Sequence, residues 1–212
     1  MTRGRFIVLE GVDGCGSTTH AERLAERLRA RQQDVLLTCE PSSGPVGRLL
    51  REALEHRLVD PVSGAPQRFS WATYGLLFAA DRVDHARAVI VPALEKGTTI
   101  VCDRYDLSSL TYQSATAPPG EPVLDWLRQL NARVPRPDLT IVLDVSAETA
   151  ELRRSQRAGP AQVFEVSELQ RRLVDLYRRA EELVPGDRIV HVSAEGDRDA
   201  VADAVAAACR GL

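Results

Sequence analysis

Apolar residues follow two alternating rhythms along the chain. Phe6–Leu9 is a continuous apolar run, and short segments rich in apolar and β-branched residues recur at Val35–Thr38, Thr99–Cys102, Leu139–Asp144 and Arg188–Val192. Runs of this length and kind predict strands buried on both faces. Between them the spacing changes to three and four, as in Ala21, Leu24, Ala25 and Leu28. This predicts helices over 18–31, 46–58, 69–95 with a break near Pro92, 108–115, 122–131, 147–157, 167–184 and 197–210. Strands alternating with helices predict an α/β fold: a five-stranded parallel sheet with helices on both faces. The sequence has no internal repeat and no linker long enough to divide it, so a single domain over 1–212 is expected. Arg157-Ala158-Gly159-Pro160-Ala161-Gln162 lies between two Arg-rich helical segments. It predicts a lid over about 148–166.

Composition narrows the class of protein. Of 212 residues, 44% are hydrophobic and 27% charged, which excludes a mostly disordered chain. Lys and Arg total 27 against 30 Asp and Glu. The net charge of -3 gives no broad basic field for a nucleic-acid polymer. No apolar run reaches membrane-spanning length, and the N-terminal segment lacks the pattern of a secretion signal. Cys15, Cys39, Cys102 and Cys209 are far apart and form no C-x-x-C pair. A reduced, cytoplasmic protein without a membrane partner is expected. Lys96 is the only lysine, and His20, His56, His85 and His191 lack metal-ligand spacing.

The strongest local signal is Gly11-Val12-Asp13-Gly14-Cys15-Gly16-Ser17-Thr18, after the first strand and opening the first helix. That is the context required by the phosphate-loop pattern G-x-x-x-x-G-K-[ST]. Its glycines allow the backbone to curl, so that successive N–H groups and the helix start face an anion. Thr18 stands where a hydroxyl ligates Mg²⁺, and Ser17 stands where the lysine belongs. The serine offers a hydroxyl and no charge. Cys15 sits where a small residue is needed and has no visible partner for thiolate chemistry.

Further blocks follow in order. Phe78 and Arg82 are four apart and share a helix face, offering an aromatic plane and a two-donor fork to a base. A core phenylalanine beside a surface Asp81–Arg82 pair is the alternative. Asp103 ends a buried strand, where parallel sheets hold ligands. It can hold Mg²⁺ through water while Arg104 clamps a phosphate. Asp13 is either a site acid or a turn former.

Read together, these blocks resemble the thymidylate kinase family over nearly the whole chain. Residues 6–14 match its first strand and loop entrance. Thr38-Cys39-Glu40-Pro41 is similar to its T-R-E-P segment, with Cys39 for arginine. Residues 77–85 match L-F-A-A-D-R-x-x-H, and Asp103-Arg104-Tyr105 with Ser108 and Thr111-Tyr112-Gln113 match D-R-Y-x-x-S-x-x-A-Y-Q. The resemblance implies the P-loop nucleoside monophosphate kinase fold, usually a homodimer. The implied activity is Mg²⁺-dependent transfer of the ATP γ-phosphoryl group to dTMP or a related pyrimidine nucleotide.

The implied donor-phosphate residues are Gly11, Gly14, Cys15, Gly16, Ser17, Thr18 and Thr19. The implied acceptor residues are Glu40, Phe78, Arg82, Arg104, Ser109, Tyr112 and Gln113. Phe78 would stack on thymine, Arg82 bond its carbonyl and Tyr112 crowd the sugar 2′ position. Asp13 would meet the 3′-hydroxyl or the phosphate region, and Thr18 and Asp103 the metal. Arg153 or Arg157 would supply a lid arginine, although solvated helix arginines explain them equally. The lid lacks the expected Asp-Arg pair. With Ser17 and the lid altered on the donor side only, two classes remain open. One is an active kinase; the other is a diverged member that binds a nucleotide but acts elsewhere or not at all.

Overall fold

The computed structural model describes residues 3–156, 164 and 167–212. The sheet has five parallel strands in the order β2-β3-β1-β4-β5: β1 Phe6–Glu10, β2 Val35–Cys39, β3 Thr99–Asp103, β4 Leu139–Asp144 and β5 Ile189–Ser193. All five β1 residues are buried, as its central place requires. Its register sets Leu9 against Asp103 on β3 and Ile141 on β4. The chain moves from β1 outward to β2 and β3, then crosses to β4. That reversal opens a crevice at the strands' C-terminal ends, the usual ligand position in such sheets.

Helix α1 (Ser17–Ala30) leaves the end of β1 and packs on β1, β2, β3 and the last helix, α10 (Arg198–Ala208). Its buried stripe is Ala21, Leu24, Ala25 and Leu28, the residues that carried the helical period. Helix α2 (Pro45–Leu54) begins with Pro45 in its first turn, where the missing N–H costs nothing. It stops short of Leu58 because His56 adopts a left-handed φ of 58° and turns the chain.

The 69–95 segment becomes α3 (Trp71–His85), a π-helical turn over Ala86–Ile90 and α4 (Val91–Glu95). The break expected near Pro92 lies one turn earlier. The proline ring would strike the carbonyl of Ala88 in a regular helix, and the widened turn removes that conflict. Helices α5 (Asp106–Thr116) and α6 (Val123–Asn131) pack against α3. Then come α7 (Ala147–Ser155), α8 (Ser167–Tyr177) and α9 (Ala180–Leu183). The single helix expected over 167–184 is divided, because Arg179 N–H bonds the carbonyl of Leu176 in a tightened turn. That turn buries both Tyr177 and Ala180.

One core cluster joins the sheet to α1, α5, α8 and α10. A smaller one, Leu50, Ala53 and Tyr74 with Phe69 and Phe78 packed on it, fixes α2 to α3.

Gly47 lies in α2, and a β-carbon there would approach the carbonyl oxygen of Ser42 to 2.1 Å. In an open helix, glycine to alanine stabilises by about 1 kcal/mol. Here Gly47→Ala is expected to reverse that sign and cost about 1–3 kcal/mol. The expected observation is a lower urea midpoint than that of the parent chain.

Candidate active site

Two cavities in the crevice meet at Arg104 and Asp13. The first, about 710 Å³, surrounds the glycine-rich loop and includes Asp13, Gly14, Cys15, Gly16, Ser17, Thr18 and Thr19. Gly11 begins the loop with a φ of 152°, and Gly14 and Gly16 both have a φ of 93°. At Gly14 the constraint is also steric: a β-carbon would lie 2.5 Å from the carbonyl oxygen of Ala150 on α7. Burial pushes the Cys15 thiol up to about 11, so it is no ready nucleophile. Thr18 Oγ1 donates a short hydrogen bond to Asp103 Oδ2. Asp103 Oδ1 is buried and has no partner.

Arg153 reaches this cavity from α7 and gives two of its five guanidinium N–H groups to backbone carbonyls. Nη2 donates to the carbonyl of Ala194 at 2.8 Å and Nη1 to that of Cys15 at 3.5 Å. Arg154 Nη1 donates to the Asp13 carbonyl at 2.6 Å and to Gln170 Oε1 at 3.3 Å. These two arginines fasten α7 to the loop. Arg157 lies outside the described residues. His20 and Arg198 also line the cavity and were not singled out from the sequence. Burial and the nearby Arg23, Arg153 and Arg198 lower the His20 pKa.

The second cavity, about 100 Å³, is bounded by Asp13, Glu40, Phe78, Arg82, Arg104, Ser109, Tyr112, Gln113 and Phe164. Its floor is a buried polar network. Arg82, 1% exposed, donates from Nε to Glu40 Oε2 at 2.8 Å and from Nη1 to Asn131 Oδ1 at 2.6 Å. Its Nη2 donates to the Tyr105 carbonyl and to Ser109 Oγ, both at 3.0 Å. Four of the five guanidinium N–H groups are thereby used, and one on Nη1 is left. His85 bridges Glu40 Oε1 and Thr38 Oγ1. Asp81 accepts from the Ser42 N–H at 2.7 Å and from Ser42 Oγ at 2.5 Å. The Asp81-Arg82-x-x-His85 block therefore locks the end of β2 and the cis Glu40–Pro41 turn onto α3. The surface Asp–Arg decoration considered from sequence does not occur, since both residues are buried.

Arg104 adopts a left-handed φ of 68°, uncommon for a residue with a side chain. This turn aims its guanidinium at the junction of the cavities. Nη2 donates to Asp13 Oδ1 at 2.7 Å, and Nη1 lies 3.2 Å from Ser108 Oγ and 3.4 Å from Tyr112 Oη. Glu10, fully buried at the end of β1, accepts from the N–H groups of Tyr105 and Ser108, from Ser108 Oγ and from Tyr177 Oη. Burial raises its pKa to about 7 despite the nearby Arg104. Gln113 is fully buried in the second cavity, with both amide atoms unpartnered.

Sequence reading missed Glu10, Asn131, Phe164, Gln170 and Tyr177. Phe164 packs edge-on against Tyr74 and Tyr112, each 5.3 Å away. Gln170 links the Phe164 carbonyl to Asp13. No local spacing could show this, because the partners are distant in sequence.

A glycine-rich phosphate loop at the end of a central parallel strand, with a second polar cavity beside it, defines a P-loop phosphotransferase of the nucleoside monophosphate kinase type. The thymidylate kinase family model matches residues 9–205. A probable thymidylate kinase of Pyrococcus abyssi is 43% identical over 193 residues, covering 91% of this chain and 90% of that protein. The thymidylate kinase of Caulobacter vibrioides is 37% identical, covering 97% and 95%. That of Nitrobacter winogradskyi is 36% identical, covering 97% and 88%. The chain belongs to the thymidylate kinase family. It is accordingly a dTMP-kinase-like phosphotransferase, and the family uses ATP as phosphoryl donor. No helix among the described residues is long and apolar enough to cross a membrane.

Two outcomes test the buried groups. Glu40→Ala leaves Arg82 charged, buried and unpaired, and should cost about 3–5 kcal/mol in chemical denaturation. For Glu10, the folded-state pKa lies above the ordinary 4.5. Its stabilisation is therefore complete below the unfolded value and is lost as pH rises through about 7. Relative to Glu10→Gln, the parent chain should lose on the order of 3 kcal/mol between about pH 4.5 and 8.

Proposed function

We propose that the chain transfers the γ-phosphoryl group of ATP to dTMP, giving ADP and dTDP. The carrying observation is the fully buried, unpartnered amide of Gln113 in the cavity beside Phe78. It offers one donor and one acceptor to a base edge that carries a carbonyl and an N–H. The remaining N–H of Arg82 gives a further donor, and Phe78 an aromatic face. Tyr112 bounds the sugar and disfavours a 2′-hydroxyl, while Asp13 receives the 3′-hydroxyl. Glu40 and Ser109 act by holding Arg82. Arg104 holds the acceptor phosphate at the mouth of the donor cavity, so that donor and acceptor approach at one point.

The loop amides of Gly11 to Thr19 would cradle the donor phosphates. The buried, unpartnered Asp103 Oδ1 and the Thr18 hydroxyl fit Mg²⁺. When bound there, Mg²⁺ would neutralise charge on the β- and γ-phosphates. Arg153 or Arg157 of the lid, about 148–166, compensates for Ser17, and Arg153 must first leave its carbonyl partners. The whole chain acts as one kinase domain, in the cytoplasm and without nucleic-acid or membrane partners. Leu76, Ala80 and Val83 form an exposed stripe on α3, beside Leu130 of α6. This apolar patch supports a homodimer.

The test is ADP and nucleoside diphosphate formation with dTMP, its ribonucleotide and AMP as acceptors, with and without Mg²⁺. dTMP should be preferred, and Tyr112→Ala should narrow the preference over the ribonucleotide. Loss of the compensating arginine, tested as Arg153→Ala and Arg157→Ala, should lower kcat by roughly 100- to 1,000-fold, the scale of one preorganised charge stabiliser, with little change in dTMP affinity. Equal use of dTMP and AMP, or turnover unaffected by removal of Mg²⁺, defeats the reading.

A further inference from the structure

His20 lies three residues beyond Ser17 in the first turn of α1 and lines the donor cavity. Its side chain is buried, 5% exposed. The ring is oriented by what surrounds it. A β-carbon on Gly16 would lie 3.5 Å from His20 Cδ2 and 3.8 Å from Nε2, so this edge faces the phosphate loop. The opposite nitrogen, Nδ1, is sealed from solvent and has no hydrogen-bond partner.

A buried N–H without an acceptor is rarer in folded proteins than a buried acceptor without a donor. The tautomer that leaves Nδ1 bare places its N–H on Nε2, at the edge beside Gly16. Arg23 on α1, Arg153 on α7 and Arg198 on α10 are charged groups near it.

The loop beside this edge has lost its cationic donor, since Ser17 carries no charge. We propose that His20 Nε2–H donates a hydrogen bond to a phosphate oxygen of the bound nucleoside triphosphate, making His20 a positioning residue for the phosphoryl donor. This rests on the assignment of the loop cavity to the donor but not on the identity of the acceptor. A hydrogen bond from this buried ring to a phosphate oxygen adds binding to the ground state and the transition state alike. It belongs to donor affinity more than to the chemical step.

The test uses the full chain. Calorimetry compares ATP, GTP and inorganic triphosphate on the parent protein, His20→Gln and His20→Asn. The Gln amide nitrogen reaches about as far as Nε2, whereas the Asn amide reaches only as far as Nδ1. His20→Asn should weaken all three ligands by roughly tenfold or more, and His20→Gln should retain most of the affinity. dTMP affinity should not change in either variant. Nitrogen-15 imidazole shifts of the unliganded parent should show a proton on Nε2, and the Nε2 resonance should move when triphosphate is added. The opposite tautomer, or unchanged triphosphate affinity in His20→Asn, overturns the proposal. Loss confined to ATP moves the contact to the base and also overturns it. Parent protein that binds triphosphate but does not phosphorylate dTMP counts against the proposed reaction and leaves the His20 contact to be judged by these binding data.

Discussion

Arg82 is a charged side chain with nearly no access to water, and the site is built around keeping it satisfied. Its fork reaches Glu40 beyond β2, Tyr105 and Ser109 at the start of α5, and Asn131 at the end of α6. The end of β2, α5 and α6 are thereby registered to one guanidinium on α3. An ion pair this deep gives modest net stability, because desolvation offsets most of the attraction, but leaving one partner alone is costly. The network therefore acts as a fixed frame. His85 and Asp81 extend it to Thr38 and Ser42, so the Glu40–Pro41 turn has little freedom. The second cavity inherits its shape from that rigidity.

The strands were legible in the sequence because burial on both faces leaves no room for polar alternation, and β1, β3 and β4 are apolar nearly throughout. The glycine-rich loop was legible because its backbone needs conformations that few residues tolerate. Helix ends were less so. Pro92 announced a break but not the π-helical turn that absorbs it, and nothing near Tyr177 signalled the turn that divides 167–184. Arg82 stands out in the sequence as a candidate for a base pocket, yet its four internal bonds come from residues 23 to 49 positions away. The same distance in sequence hid Phe164, Gln170 and Glu10, whose importance lies in what the fold brings beside them.

Charge is distributed unevenly across the crevice. At the second cavity Arg104 is braced by Asp13, Ser108 and Tyr112 and by the turn at its own backbone. At the first, Ser17 is neutral and Arg153 gives two N–H groups to backbone carbonyls, while Arg198 also lines the wall. The glycine-rich loop itself carries no cation, so positive charge reaches this cavity from α7, α10 and Arg104.

The contact between Gly14 and the Ala150 carbonyl has a consequence for how this chain can change over evolutionary time. Any side chain at position 14 requires α7 to retreat, and retreat of α7 strips Arg154 from the Asp13 carbonyl and Arg153 from that of Cys15. The loop and the helix leading into the lid are therefore one heritable unit, in which a substitution on one side is viable only with an accommodating change on the other. Divergence in this half of the molecule proceeds by paired steps, and the bond between Asp13 and Arg104 ties the second cavity to the same unit.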